Sequence, residues 1–218
     1  MKMLQIALLS ALSLFISTTL QAQDADRTPA KLPVYGTISI GYGNTFFSGI
    51  LSEKETINDG RGFGRNQGNT LATWFYVAPA RWKGLGIGTG IKGFFATPNN
   101  GGNNETYLFN YYHVGVGAKY YLLSKQFNKG LALKSSFGIG QMTEKTRFNA
   151  TRTYEHQFAI GTTLLAGIGY SIPVFNKRSA LNIDFDFETS NRRGDVTGLG
   201  EDQPFKNKHV SLNIGLSF

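Results

Sequence analysis

The sequence contains no cysteine. That excludes a disulfide scaffold, a Cys-x-x-Cys redox centre and a thiolate zinc site. Charge is also scarce, with 17% of residues Asp, Glu, Lys or Arg, against about 25% in ordinary globular domains. Proline occurs only 6 times in 218 residues. Beyond the first twenty-odd positions, no apolar run approaches the roughly 20 residues that a membrane-crossing helix needs. The chain is instead rich in glycine (27), phenylalanine (17) and tyrosine (10), and carries a formal charge of +8. So many aromatics exclude a disordered polar chain, the collagen period is absent, and the length suits one domain.

Residues 1–22 read as a cleavable export signal. Lys2 gives a short basic start, an apolar stretch runs from Leu4 to Ile16, and a polar tail ends at Ala22, after which cleavage is expected. No cysteine follows it to carry a lipid anchor. Residues 23–33 are polar, contain two prolines, and are expected to form a flexible periplasmic lead-in. The domain itself is expected over 34–218.

From there the hydrophobic period is two, the signature of strands. In 36–43, Ile38, Ile40 and Tyr42 alternate with Thr37, Ser39, Gly41 and Gly43. Comparable alternation recurs in 70–78, 85–93, 112–120, 131–140, 158–172, 181–188 and 210–218, which makes eight strands. One face of each strand is Ile, Leu, Val, Phe or Tyr; the other is Gly, Ser, Thr, Asn, Lys or Asp. A face of Gly and Ser solvates an exterior poorly but suits a narrow lumen filled by side chains. The apolar face is therefore assigned outward, toward lipid. In lipid all backbone groups must be paired, so the strands have to close. The expected fold is all-β, an eight-stranded antiparallel up-and-down transmembrane β-barrel. The intervening segments alternate in length: 49–69, 97–106, 143–153 and 190–204 are long, while 79–84, 123–130 and 173–179 are short. That matches long outer loops and short periplasmic turns, with both termini on the periplasmic side.

These features resemble the small eight-stranded bacterial outer-membrane β-barrels of the OmpA/OmpX-like type, over 34–218. The C-terminal run Val210, Leu212, Ile214, Leu216 and Phe218, alternating and closed by phenylalanine, is similar to the signal read by the outer-membrane assembly machinery in that group. The resemblance implies an outer-membrane location among outer-membrane lipids and lipopolysaccharide, and a client of that machinery. It names no ligand, because such barrels serve as adhesins, as anchors and in a few cases as lipid-modifying enzymes.

On the inward face, Lys92, Lys119 and Lys134 fall on strands three to five, and Asp184, Asp186 and Glu188 form a column on strand seven. Neighbours in that column are about 7 Å apart. Unpaired charges in a low-dielectric lumen are costly, so the six are expected to form an ion-pair network. Counted from the turns, Lys92 belongs near Glu188, and Lys119 and Lys134 nearer Asp184. The expected role is structural or surface interaction, a barrel with a plugged polar lumen displaying four outer loops. The alternatives are a narrow channel for ions or small solutes, with the acidic column as its path, and a lipid-modifying enzyme.

Other motifs are read plainly. The repeated Gly-x-Gly pairs lie within strands, so they are not phosphate loops. His209-Val210-Ser211 resembles the His-x-Ser pair of lipid A deacylases, but Leu212 stands where that motif has Asn, and the register turns both polar residues inward. Arg193-Gly194-Asp195 is taken as a chance tripeptide. Arg81, Lys83, Lys125, Lys129, Lys177 and Arg178 at the short turns suit anionic head groups. No contiguous basic and aromatic face suggests nucleic acid. Trp74, Tyr76, Phe95, Tyr107, Tyr112, Tyr120 and Tyr170 fall near strand ends, which suits interfacial girdles, and several would also serve as ordinary core residues. The first loop, with Glu53, Lys54, Glu55, Asp59, Arg61 and Arg65, is the expected site for an extracellular ligand.

Overall fold

The computed structural model describes residues 33–48, 67–96, 99–101, 105–148, 153–174, 179–196 and 200–218. The expected export signal, nearly all of the lead-in, and the charged first loop lie outside them.

Eight long strands make up the wall: β1 (Val34–Ser48), β2 (Gln67–Val77), β3 (Leu85–Ala96), β5 (Glu105–Tyr121), β6 (Gly130–Phe148), β7 (Thr153–Pro173), β8 (Ala180–Val196) and β9 (Gly200–Ser217). The three-residue β4 (Asn99–Gly101) adds a short ninth strand that pairs with β5. Neighbours pair antiparallel in chain order, β9 returns to β1, and β3 pairs with β5, so the sheet closes. The seam is sealed by the last residue: Phe218 and Gly36 exchange both backbone hydrogen bonds at 2.9 Å.

The partners define the tilt. Phe46 faces Lys208, then Thr189, Leu164, Phe137, Val116, Thr89, Phe75 and finally Gly36. One circuit thus returns to β1 ten residues from its start. Such a stagger inclines the strands by roughly 35–45° to the axis, and no strand edge faces lipid along the closed part of the wall.

The sheet is inverted relative to a soluble protein. Ile38 is 48% exposed, Val116 63% and Ile139 65%, while Lys92, His113, Glu188 and Arg192 are sealed inside. On β9 the outward residues Val210, Leu212, Ile214, Leu216 and Phe218 run for about 27 Å along the strand at roughly 3.4 Å per residue. Projected through the tilt, that is close to the apolar band of a membrane barrel. Tyr42 and Tyr112 top the band, and each phenol donates to a glutamine, Gln67 at 3.0 Å and Gln141 respectively.

For Trp74 and Tyr76 the core alternative holds and the girdle does not: even positions of β2 point inward, and both rings are buried. Phe95, Tyr120 and Tyr170 do face out, whereas the Tyr107 side chain lies outside the described set. The strict alternation of connection lengths also fails. β6 and β7 leave only 149–152 between them and β8 and β9 only 197–199, whereas 122–129 joins β5 to β6 at the end carrying the termini. The strands continue past the hydrocarbon region because backbone pairing does not depend on which solvent lies outside.

Placing a charge at the middle of the lipid face separates this arrangement from a soluble one. Val116→Arg is expected to cost about 2–4 kcal/mol in lipid vesicles, and Leu123→Arg, in the β5–β6 turn, about 1 kcal/mol or less. Reversible urea titration of the vesicle-embedded barrel measures both.

Candidate functional site

The lumen is filled in two layers. Toward the end that carries the termini, Phe127 folds back from the β5–β6 turn into the mouth. Its ring lies 4.8 Å from that of Tyr35, 5.1 Å from Tyr121 and 5.6 Å from Tyr76. Trp74 stacks on Tyr76 at 6.1 Å above it. Gly86 on β3 makes room: a Cβ there would stand 2.3 Å from the Phe127 ring. The Tyr121 hydroxyl shares a hydrogen bond of 2.7 Å with Ser171, which ties the aromatic layer to β7.

Above this lies the charged layer. Period-two geometry on β8 turns Asp184, Asp186 and Glu188 inward in one file. Lys134 Nζ lies 2.7 Å from Asp186 Oδ1 and 3.2 Å from Asp184 Oδ2. Lys119 Nζ reaches Asp184 Oδ1 at 3.7 Å and donates to Asn182 Oδ1 at 3.3 Å. Lys92 Nζ contacts Asp186 Oδ2 at 2.9 Å, Glu188 Oε1, and the Ser211 hydroxyl at 3.0 Å. Asn213 donates to Asp186 Oδ2 at 3.0 Å, and Tyr111 donates to Glu188 Oε2 at 3.2 Å. Three ammonium groups thus meet three carboxylates, Asn213 shares Asp186 Oδ2 with Lys92, and Tyr111 takes the Glu188 oxygen that Lys92 leaves. Gly167 on β7 admits the crowding: its Cβ would fall 2.6 Å from Asp186 Oδ1 and 2.9 Å from Lys134 Cε.

Several lumen residues escape the sequence reading. Arg192, almost fully buried, donates to Asn207 Oδ1 and Thr163 Oγ1 and lies 5.2 Å from the Tyr111 ring. It falls in the segment 190–204 that connection length makes an outer loop, although the file Asp184, Asp186, Glu188, Ser190, Arg192 keeps the same period throughout. Tyr111 and Phe127 had no signal that set them apart from lipid-facing aromatics. His209 and Ser211 point into the lumen, His209 sharing a 3.0 Å hydrogen bond with Thr45. Acyl chains do not reach them there. The Arg193-Gly194-Asp195 run straddles a bulge in β8, with Arg193 paired to Asp202 at 2.8 Å.

Removing one member of the charged layer strands its partners. Lys92→Met is expected to cost about 3–5 kcal/mol of folding stability. The double variant Lys92→Met/Glu188→Leu is expected to lose less than the sum of the singles, with a coupling of about 1–3 kcal/mol. Unfolding titrations of the four proteins in one detergent close that cycle.

No family model matches the chain, and no curated protein matches it. Among solved structures the barrel is similar to Ail, the attachment invasion locus protein of Yersinia pestis, in complex with the heparin analogue sucrose octasulfate. The TM-score is 0.52 at 16% identity, covering 85% of this chain and 99% of that one. It is also similar to Neisserial surface protein A, with a TM-score of 0.50 at 11% identity over 85% of this chain and 96% of that one. The shared fold is the small eight-stranded outer-membrane β-barrel.

Proposed function

We propose that the protein is a non-conducting outer-membrane barrel with a structural or surface-interaction role, a rigid frame that holds its loops outside the cell. The observation that carries this reading is the doubly filled lumen. An aromatic layer closes one mouth around Phe127, and a charge-neutralised layer of Lys92, Lys119, Lys134, Asp184, Asp186 and Glu188 crosses the bore above it. Ions that followed the acidic column would have to displace three lysines already seated on it. Chemistry on lipid is disfavoured because His209 and Ser211 sit inside the wall. In a planar bilayer the purified barrel is expected to show no stepwise conductance; stable unitary openings overturn the plugged reading in favour of a narrow channel.

Contacts at the outer surface extend the proposal. Lys206 and Lys208 are exposed on β9 immediately above Val210, beside Thr189 and Asn191 of β8 and Phe46 and Ser48 of β1. That height meets the phosphorylated head groups of lipopolysaccharide, and the basic turn residues at the opposite end meet inner-leaflet phospholipid. The loops remain the place for an extracellular ligand; the Yersinia relative's complex with a sulfated sugar makes an acidic polysaccharide the first class to try. The lipid-facing row Val210, Leu212, Ile214, Leu216 and Phe218 is the segment we assign to recognition by the assembly machinery. Neutralising Lys206 and Lys208 together (both to Ala) is expected to weaken lipopolysaccharide binding by roughly thirtyfold, at about 1 kcal/mol per lysine. Competition between lipopolysaccharide and phosphatidylethanolamine in nanodiscs reads this out.

A further inference from the structure

At the end of the barrel that carries the termini, two turns lie side by side. The β2–β3 turn winds through one short 3-10 turn, Ala80–Trp82. Trp82 N donates to Pro79 O at 2.9 Å and Lys83 N to Ala80 O at 3.1 Å, with Lys83 in the left-handed region at φ 50°. The β5–β6 turn, 122–129, is fixed from within the mouth. Phe127 and Asn128 are buried, the Tyr121 hydroxyl donates to Asn128 Oδ1 at 3.3 Å, and Gln126 N donates to the Ser124 hydroxyl at 3.1 Å. The two turns touch: Tyr121 N donates to Gly84 O at 3.1 Å, and a Cβ on Gly84 would stand 2.6 Å from Ser124 O. Both are basic. Arg81 and Lys83 on one and Lys125 and Lys129 on the other are exposed, and neither turn contains a carboxylate. The β7–β8 turn adds Lys177 and Arg178 to this end, while in the lead-in Asp24 and Asp26 are matched by Arg27 and Lys31. Apolar side chains stand exposed beside the cations: Leu123 is 87% exposed and Leu122 41%, next to the outward Tyr120. Trp82, half-buried, stands between Arg81 and Lys83 in sequence. Cations and bare leucines in one turn suit a membrane interface, where apolar groups dip among acyl chains and basic heads stay at the phosphates. A water-soluble acidic partner would account for the lysines but would leave Leu123 in water.

We propose that these two turns form a binding site for one diphosphatidyl lipid of the inner leaflet, each turn holding one phosphate while Leu122 and Leu123 meet the acyl chains. The proposal rests on the reading above that this end meets phospholipid, and it makes that contact specific. The count sets the charge: two cations on each of two adjoining turns match two singly charged phosphates. The spacing sets the linkage. β3 and β5 leave these turns as hydrogen-bonded neighbours, about 4.8 Å apart, a separation that the glycerol joining the two phosphates of such a lipid spans. Arg81 suits one phosphate through paired N–H groups, and the lysines act as point charges. Rigidity favours binding as well. Phe127 is anchored in the mouth between Lys125 and Lys129, so those cations are offered on a fixed frame and less order is lost when a lipid seats.

The test is native mass spectrometry of the protein purified from membranes in detergent, with diphosphatidylglycerol and phosphatidylglycerol competing at equal phosphate and phosphatidylethanolamine as the zwitterionic reference. One diphosphatidylglycerol is expected to stay on each barrel, preferred over phosphatidylglycerol by at least roughly tenfold. Lys83→Gln and Lys125→Gln, one from each turn, are each expected to lower that affinity about fivefold, the worth of one lysine near anionic head groups. Lys83→Arg and Lys125→Arg are expected to keep it. Heat-modifiable gel migration checks that each variant is folded, and Lys129→Gln replaces one that is not. Equal retention of the two anionic lipids per phosphate overturns the two-phosphate site and leaves the phospholipid contact standing. Retention of neither above phosphatidylethanolamine overturns both. Displacement of the lipid by a soluble cell-wall glycopeptide, or an affinity unchanged in the glutamine variants, also overturns the proposal.

Discussion

A backbone in hydrocarbon has no water to bond with, and every other feature of this barrel answers to that constraint. The eight long strands satisfy it by closing: β1 and β9 pair from Thr37↔Ser217 to Ser48↔Lys206, and Gly36 and Phe218 extend that ladder by one more pair of hydrogen bonds. Closing with a stagger of ten residues tilts the wall, so each strand needs about 9–11 residues to cross the apolar band. The same closure divides the side chains into two populations that never mix. Outward positions can be any residue that lipid accepts. Inward positions face one another across a bore only a few side chains wide, so they are coupled much more tightly than surface residues of a soluble protein.

That coupling explains why the lumen is partitioned. Carboxylates in adjacent inward positions of β8 repel unless each has a cation, and the lysines that serve them come from β3 on the opposite wall and from β5 and β6 beyond β7. The stem of Lys92 crosses the bore, and that of Lys134 passes over β7 where Gly167 leaves room. Toward the termini the bore is instead occupied by rings, and Phe127 completes that layer from a turn. An ionic layer on top of an aromatic one keeps lysine and carboxylate away from the mouth nearest bulk water on that side. The cost is a set of buried charges whose worth depends on every partner being present, a form of stability that is specific but intolerant.

The sequence made the membrane-embedded half of each strand legible, and the rest much less so. Where the outside is lipid, alternation of Ile38, Ile40 and Tyr42 with Thr37 and Ser39 has high contrast. Above the band, the outward neighbours become Asn191, Arg193, Lys206 and Lys208, and both faces of the strand are polar. Hydrophobic contrast vanishes there although hydrogen bonding continues, so the alternation alone does not carry the strand as far as Arg192. Direction was legible for the charged residues, because an acidic column is intolerable in lipid. It was not legible for Trp74 and Tyr76: an aromatic ring is at home in a girdle and in a lumen, and only the parity of β2 decides. Phe127 sits in the polar run from Ser124 to Lys129, where periodicity says nothing, and its role emerges only from the space left by Gly86.

Low identity to barrels of the same fold follows from these constraints. Lipid-facing positions accept any large apolar side chain, so sequences drift there while the pattern holds, and 16% identity coexists with a common architecture. Inside, drift is possible only in concert, since a lysine on β3 can change only together with its carboxylates on β8. Two barrels of this fold can therefore share every strand and differ completely in what fills them. The fold fixes where the protein sits; what distinguishes this chain is its particular lumen, with three lysines set against three carboxylates, an arginine hydrogen-bonded to Asn207 and Thr163, and a phenylalanine in the mouth near the termini.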